Sequence, residues 1–188
     1  MRVGPDLHAR LSAEAAEQGF SLNAYCVRKL SGEAGVDRWS GLGLDREFIE
    51  KILRIFSSEP IAVVLFGSFA RNSQSDTSDI DLLVVFRSDT PPTRAMYRLF
   101  DEKIDTSGFR YPVNPHLVSL PGNPADCGSL WLEIALDGIV LFEEGRATSL
   151  FLKKVRDHIT SGQVVRRFAY GQPYWVKQER PDEKRISD

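Results

Sequence analysis

Ile61-Ala62-Val63-Val64-Leu65-Phe66-Gly67-Ser68-Phe69-Ala70-Arg71, followed after a polar loop by Ser78-Asp79-Ile80-Asp81-Leu82-Leu83-Val84, is the stretch on which the reading of this chain turns. The apolar run Ile61–Phe66 has the continuity of a strand buried on both faces. It stops at Gly67-Ser68, and a second strand is expected from Ile80 to Phe86. Glycine at a strand end lets a backbone approach a phosphate closely, and the serine hydroxyl with adjacent N–H groups can hold it. Asp79 and Asp81 stand two apart at the start of the second strand, so alternation points both carboxylates to one face, away from Ile80. Two like charges so close repel unless a cation lies between them. Hard oxygen ligands at this spacing suit Mg²⁺, which keeps waters and bridges phosphates. A lone Asp-x-Asp is more often a solvated turn, and a lone Gly-Ser a plain one. Here both occur together, each on an apolar strand and in the right order, which favours metal-dependent phosphate chemistry.

Working outward, Asp45 can cap a helix whose Phe48, Ile49, Ile52, Leu53 and Phe56 form one stripe. Pro91-Pro92 opens a helical stretch towards Ile104. Val113 to Leu120 reads as a third strand, placed at an edge or bulge because Pro115 interrupts it. Leu130–Leu136 is expected to be helical, Ile139–Phe142 a short strand, and Ser149–Ile159 a helix with Leu150, Phe151, Val155 and Ile159 inward. Strands and helices interleave, so the body over 45–177 is an α/β or α+β domain. Ahead of it, Pro5, Leu7, Leu11 and Ala15 predict one helix ended by Gly19, and Ser21, Leu22, Cys26 and Leu30 a second. This two-helix module, 1–32, is too small to bury its own core. The glycine-bearing stretch 33–44 reads as a linker and 178–188 as a flexible tail.

Composition narrows the classes further. The 188 residues carry 24 Lys+Arg against 26 Asp+Glu, a formal charge of −2 that argues against a dedicated polyanion binder. No apolar run approaches the ~20 residues of a membrane span. Pro5, Asp6, His8 and Glu14 stand where a secretory signal needs apolar residues, and Cys26 and Cys127 lack metal-ligand spacing; a cytoplasmic protein is expected.

The Gly67-Ser68 turn, the loop of about ten residues and Asp79-Ile80-Asp81 together resemble the nucleotidyltransferase domain of the DNA polymerase β superfamily, especially its minimal stand-alone members. The resemblance spans roughly Phe48 to Leu120. It implies a small mixed sheet flanked by helices, with Gly67, Ser68 and Arg71 at the nucleotide. It also implies Asp79 and Asp81 as catalytic metal ligands for Mg²⁺, with an NTP as substrate. The nucleotidyl group would pass to an acceptor hydroxyl, most simply on a partner protein or a tRNA end; an aminoglycoside-type small molecule is the alternative. The family usually adds a third carboxylate on the following strand, and Val113-Asn114-Pro115-His116-Leu117-Val118 has none. Asn114 and His116 share a face there, and His116, the nearer to the expected slot, is the candidate base or ligand. Glu133 or Asp105 are lesser candidates for the missing carboxylate.

Residues 1–32 have a resemblance of their own. Arg2-Val3-Gly4-Pro5-Asp6-Leu7 and Gly19-Phe20-Ser21-Leu22-Asn23-Ala24-Tyr25 are similar to ribbon-helix-helix repressors, frequent among antitoxins. Only Met1-Arg2-Val3 remains of the ribbon, so homodimerisation or partner docking is favoured over DNA binding. A toxin–antitoxin setting follows from that resemblance, as does the rival function: a catalytically weak nucleotide- or DNA-binding regulator. In the C-terminal region nine Lys/Arg oppose five acids over 153–188. This reads as a solvated face, with Lys153, Lys154 and Arg166-Arg167 as the residues that could steer a triphosphate or RNA. Tyr170, Tyr174 and Trp175 read as a packed cluster in preference to a base-stacking platform.

Overall fold

The computed structural model describes residues 5–17, 22, 39–169 and 172–178. Most of the second expected N-terminal helix, half of the expected linker, Tyr170 and nearly all of the tail lie outside these residues. The chain divides into two compact units, 1–48 and 49–188. In the first, α1 runs Pro5–Glu17 with Ala15 buried. Helix α2, Arg46–Arg54, begins where Asp45 Oδ1 accepts from the Phe48 N–H at 2.8 Å. This is the cap expected of that aspartate.

The second unit holds a four-stranded mixed sheet in the order β3-β2-β1-β4. Strand β1, Ala62–Phe66, is antiparallel to β2, Ile80–Phe86, and to β4, Ile139–Glu143, while β2 and β3, Val113–Ser119, run parallel. The apolar run that marked β1 is buried because the sheet is covered on both faces. Val64, Leu83 and Val85 belong to one core cluster with Trp131, Ile134, Phe151 and Val155. These come from helices α5, Ser129–Asp137, and α6, Ala147–Thr160. Phe56 lies beyond the end of α2 and packs edge-on against Phe86 at 5.2 Å. Between α5 and β4 stands Gly138, where a Cβ would come within 2.6 Å of the Ile134 carbonyl oxygen and 3.2 Å of Val64 Cγ1. Glycine is what allows the helix to turn directly into a strand beside β1.

Short elements complete the unit. Helix α3, Gly67–Ala70, follows β1 at once, and helix α4, Arg94–Lys103, lies between β2 and β3. The start of α4 is later than Pro91-Pro92 suggested, because Thr93 caps it by accepting from Met96 N–H. As expected of a proline-bearing strand, β3 is an edge. Its margin is closed in a specific way. The Leu117 N–H donates to Tyr97 Oη at 3.1 Å, and that hydroxyl donates to the Leu117 carbonyl at 3.4 Å. Backbone groups alternate sides along a strand, so Pro115, two residues earlier, also faces outward, where its missing N–H leaves nothing unpaired.

A feature absent from the sequence expectations is an antiparallel hairpin of β5, Val164–Ala169, and β6, Gln172–Lys177. It is tied to α5 by one carboxylate. Glu133 accepts from Arg166 Nη2 at 2.6 Å and from Trp175 Nε1 at 2.7 Å. Among the described residues, no helix is long and apolar enough to cross a membrane.

Candidate functional site

Strand register brings the sequence motif together. Phe66, the last residue of β1, pairs with Asp81, and Asp81 pairs in turn with Asn114. These three residues form one row across three strands, at the end of the sheet where β1 finishes and β2 and β3 begin. Laterally paired residues project to the same face, and so does His116, two beyond Asn114. The His116 ring meets Phe66 edge-on at 5.0 Å, above the strand that carries Asp81.

Gly67 follows in the row with φ +73°, a conformation glycine adopts without penalty. A Cβ at this position would collide with Asp81 Oδ2. The main chain at the turn therefore lies directly against that carboxylate. Ser68 is half-buried; its carbonyl accepts from Ser73 N–H at 2.9 Å, and its hydroxyl has no hydrogen-bond partner among the described residues. Arg71 closes the short helix through its backbone and presents an exposed side chain. The loop to β2 is held by its own hydroxyls, Ser75 N–H donating to Ser78 Oγ at 2.9 Å, and by an Arg110–Asp76 ion pair at 3.9 Å.

Asp79 lies immediately before β2, exposed, with no hydrogen bond or ion pair among the described residues. Asp81 is partly buried. Its Oδ1 accepts from Asn114 Nδ2 at 3.1 Å and lies 3.7 Å from His116 Nε2. Asn114 Nδ2 is also 3.1 Å from His116 Nε2. The amide orientation is dictated by the carboxylate, since a carbonyl oxygen turned towards Asp81 would be repelled. An amide nitrogen so turned can only donate to His116 Nε2, a hydrogen bond that belongs to the ring tautomer protonated on Nδ1.

Asp81 Oδ2 thus offers a hard oxygen beside the glycine-serine turn, and Asp79 stands exposed two residues earlier in the chain. No group of three or more His, Cys, Asp or Glu suited to a metal occurs among the described residues. A pair of carboxylates fits an ion that takes its remaining ligands from water and phosphate, as Mg²⁺ does, better than one needing a full protein cage.

The other sequence candidates lie elsewhere. Glu133 is engaged by Arg166 and Trp175, which removes Arg166 from the residues that could steer a triphosphate. Lys153 pairs with Asp157 one helical turn away at 2.9 Å. Asp105 accepts from Ser107, whose side-chain and backbone hydrogen bonds hold its carboxyl below the ordinary range. Tyr174 is exposed, so only Trp175 of the expected aromatic cluster is anchored in the described structure. Asn114, to which the sequence assigned no role, is the residue paired directly with Asp81; His116 pairs with Leu83.

Comparison with known proteins matches residues 46–120 to the nucleotidyltransferase domain family and residues 1–30 to the HicB family. A putative protein adenylyltransferase of Methanocaldococcus jannaschii is 30% identical over 92 residues, 45% of this chain. The chain covers 63% of that relative's length. Among solved structures, a toxin-antitoxin with AMP-PNP aligns at 20% identity over 62% of this chain and 88% of its own, with a TM-score of 0.45. The toxin-antitoxin MntA-HepT aligns at 21% identity over 62% and 86%, with a TM-score of 0.41.

Proposed function

We propose that this chain, which matches the nucleotidyltransferase domain family over residues 46–120, transfers a nucleoside monophosphate from an NTP to a hydroxyl of a partner protein. One observation carries the proposal: the Gly67 main chain lies against Asp81 Oδ2, so the turn suited to phosphate adjoins a carboxylate of the acidic pair. The protein acceptor is supported by the relative named as a protein adenylyltransferase, which also makes ATP the first donor to test. A tRNA end or a small molecule is the alternative acceptor.

In this reading Gly67 and Ser68 bind the triphosphate through backbone N–H groups and the Ser68 hydroxyl, and Arg71 adds positive charge at its edge. Asp79 and Asp81 would hold Mg²⁺, which supplies neutralising charge to the phosphate oxygens and the departing pyrophosphate. The acceptor oxygen attacks the α-phosphorus, the bond to the β-phosphate oxygen breaks, and pyrophosphate leaves. His116 Nε2 takes the hydroxyl proton, giving up its hydrogen bond from the Asn114 amide as it does so. Positioning and charge stabilisation dominate such transfers, so few groups are needed.

The absence of a carboxylate on β3 favours a second reading, a catalytically weak nucleotide-binding regulator. One experiment separates the two. The chain is incubated with labelled ATP, GTP, CTP or UTP, Mg²⁺ and a host lysate. Label moving to a protein band, and lost in Asp79→Ala/Asp81→Ala, is the expected result. Nucleotide binding by the wild type without transfer to protein, RNA or small molecules supports the regulator instead.

A further inference from the structure

We propose that Asn114 is a positioning residue: its side-chain amide holds the Asp81 carboxylate and the His116 ring in one array, without itself touching substrate. The inference rests on the reading of Asp81 as the centre of the site. Three distances define the array: 3.1 Å from Asn114 Nδ2 to Asp81 Oδ1, 3.1 Å from Nδ2 to His116 Nε2, and 3.7 Å between the last two atoms. Without the amide, Asp81 and His116 stand too far apart to hydrogen-bond each other. With it, one amide nitrogen stands within hydrogen-bond distance of both functional groups.

The consequence for Asp81 is a fixed carboxylate plane. Oδ1 is drawn towards β3 by the amide while Oδ2 lies against the Gly67 main chain, so the two oxygens have distinct duties. The parallel register that pairs Asp81 with Asn114 makes this geometry a property of the sheet. Pro115 lies between Asn114 and His116 and restricts the backbone that carries both. Asn114 is exposed, so its removal leaves the core untouched. Partners of this kind, behind a group that binds a metal, typically govern affinity by one to two orders of magnitude.

The test uses the full chain as wild type, Asn114→Ala, and Asp81→Asn as reference. Long-range ¹H–¹⁵N spectra of the metal-free protein report the His116 ring, assigned with His116→Gln. The wild type should show Nε2 as a hydrogen-bonded acceptor with the proton on Nδ1, and Asn114→Ala should lose that signature at unchanged melting temperature. Binding of Mn²⁺ with inorganic tripolyphosphate, followed by electron paramagnetic resonance, should weaken about tenfold in Asn114→Ala. Ring signals and affinity both unchanged in Asn114→Ala, while Asp81→Asn abolishes binding, would overturn the role of Asn114 and leave the site standing. Binding that is absent in the wild type, or survives Asp81→Asn, overturns the site and this role with it.

Discussion

The Gly67 main chain and the Asp81 carboxylate occupy adjoining space with no room for a side-chain carbon between them, and Gly67 has φ +73°. Both facts predict the same outcome for Gly67→Ala. Left-handed strain should lower stability by about 1–3 kcal/mol. The displaced carboxylate should also weaken Mn²⁺–tripolyphosphate binding by at least about tenfold. Urea unfolding and the binding titration measure the two effects, and a variant with wild-type values in both would refute the steric argument.

Glu133 anchors the C-terminal hairpin through two donors, Arg166 and Trp175. Glu133→Ala leaves a partly buried guanidinium and an indole N–H without their acceptor. Because both ionic side chains keep some solvent contact, 27% for Arg166 and 23% for Glu133, the loss should be moderate, about 1–3 kcal/mol. Hydrogen exchange should accelerate at the β5 and β6 amides and not in β1 and β2. Uniform acceleration across the sheet would show that the hairpin is not an independently released element.

Tyr97 closes the margin of β3 with a single hydroxyl. Removing that oxygen in Tyr97→Phe unpairs the Leu117 N–H and carbonyl. The expected cost is about 1 kcal/mol, with increased self-association through the uncovered strand. Sedimentation velocity at increasing concentration tests this. A variant as monodisperse as the wild type would assign Tyr97 a packing role only.

Burial pushes the Cys127 thiol above its ordinary range. In a Cys26→Ser background, iodoacetamide should therefore alkylate the folded chain more slowly than the chain in urea. Its rate should also rise at higher pH. The sign for stability follows: the group contributes fully below the unfolded thiol value and loses that contribution as pH rises through the folded one. Equal alkylation rates in folded and unfolded protein would contradict the burial.

Strands β1 and β2 were legible because β1 is apolar throughout and β2 apart from Asp81, with Gly67 breaking the run between them; the mixed sheet with flanking helices was implied by the family resemblance. Asp45, too, announced the start of α2. The position of Asn114 was not legible. Which of Asn114 and His116 meets Asp81 depends on the register of two parallel strands, set by long-range hydrogen bonds such as Ile80 N–H to the Pro112 carbonyl at 2.7 Å. A sequence pattern carries both residues on the same face and does not choose between them. The hairpin went unread for a related reason. Arg166 looks like a solvent-facing residue and Trp175 like one of an aromatic cluster until a carboxylate 33 and 42 positions earlier is brought beneath them.

The closed margin of β3 also restricts how an acceptor can arrive. With Pro115 and Tyr97 occupying that flank, an incoming polypeptide finds no ladder to zip onto beside Asn114. The remaining margin of the sheet is β4, on the far side of β1 from the carboxylates. Under the proposed transfer to a partner protein, the target hydroxyl would be offered end-on, from a protruding loop or terminus, and its neighbours along the chain would gain little from main-chain pairing. Recognition of such a target would then fall to surfaces away from the row of Phe66, Asp81 and Asn114.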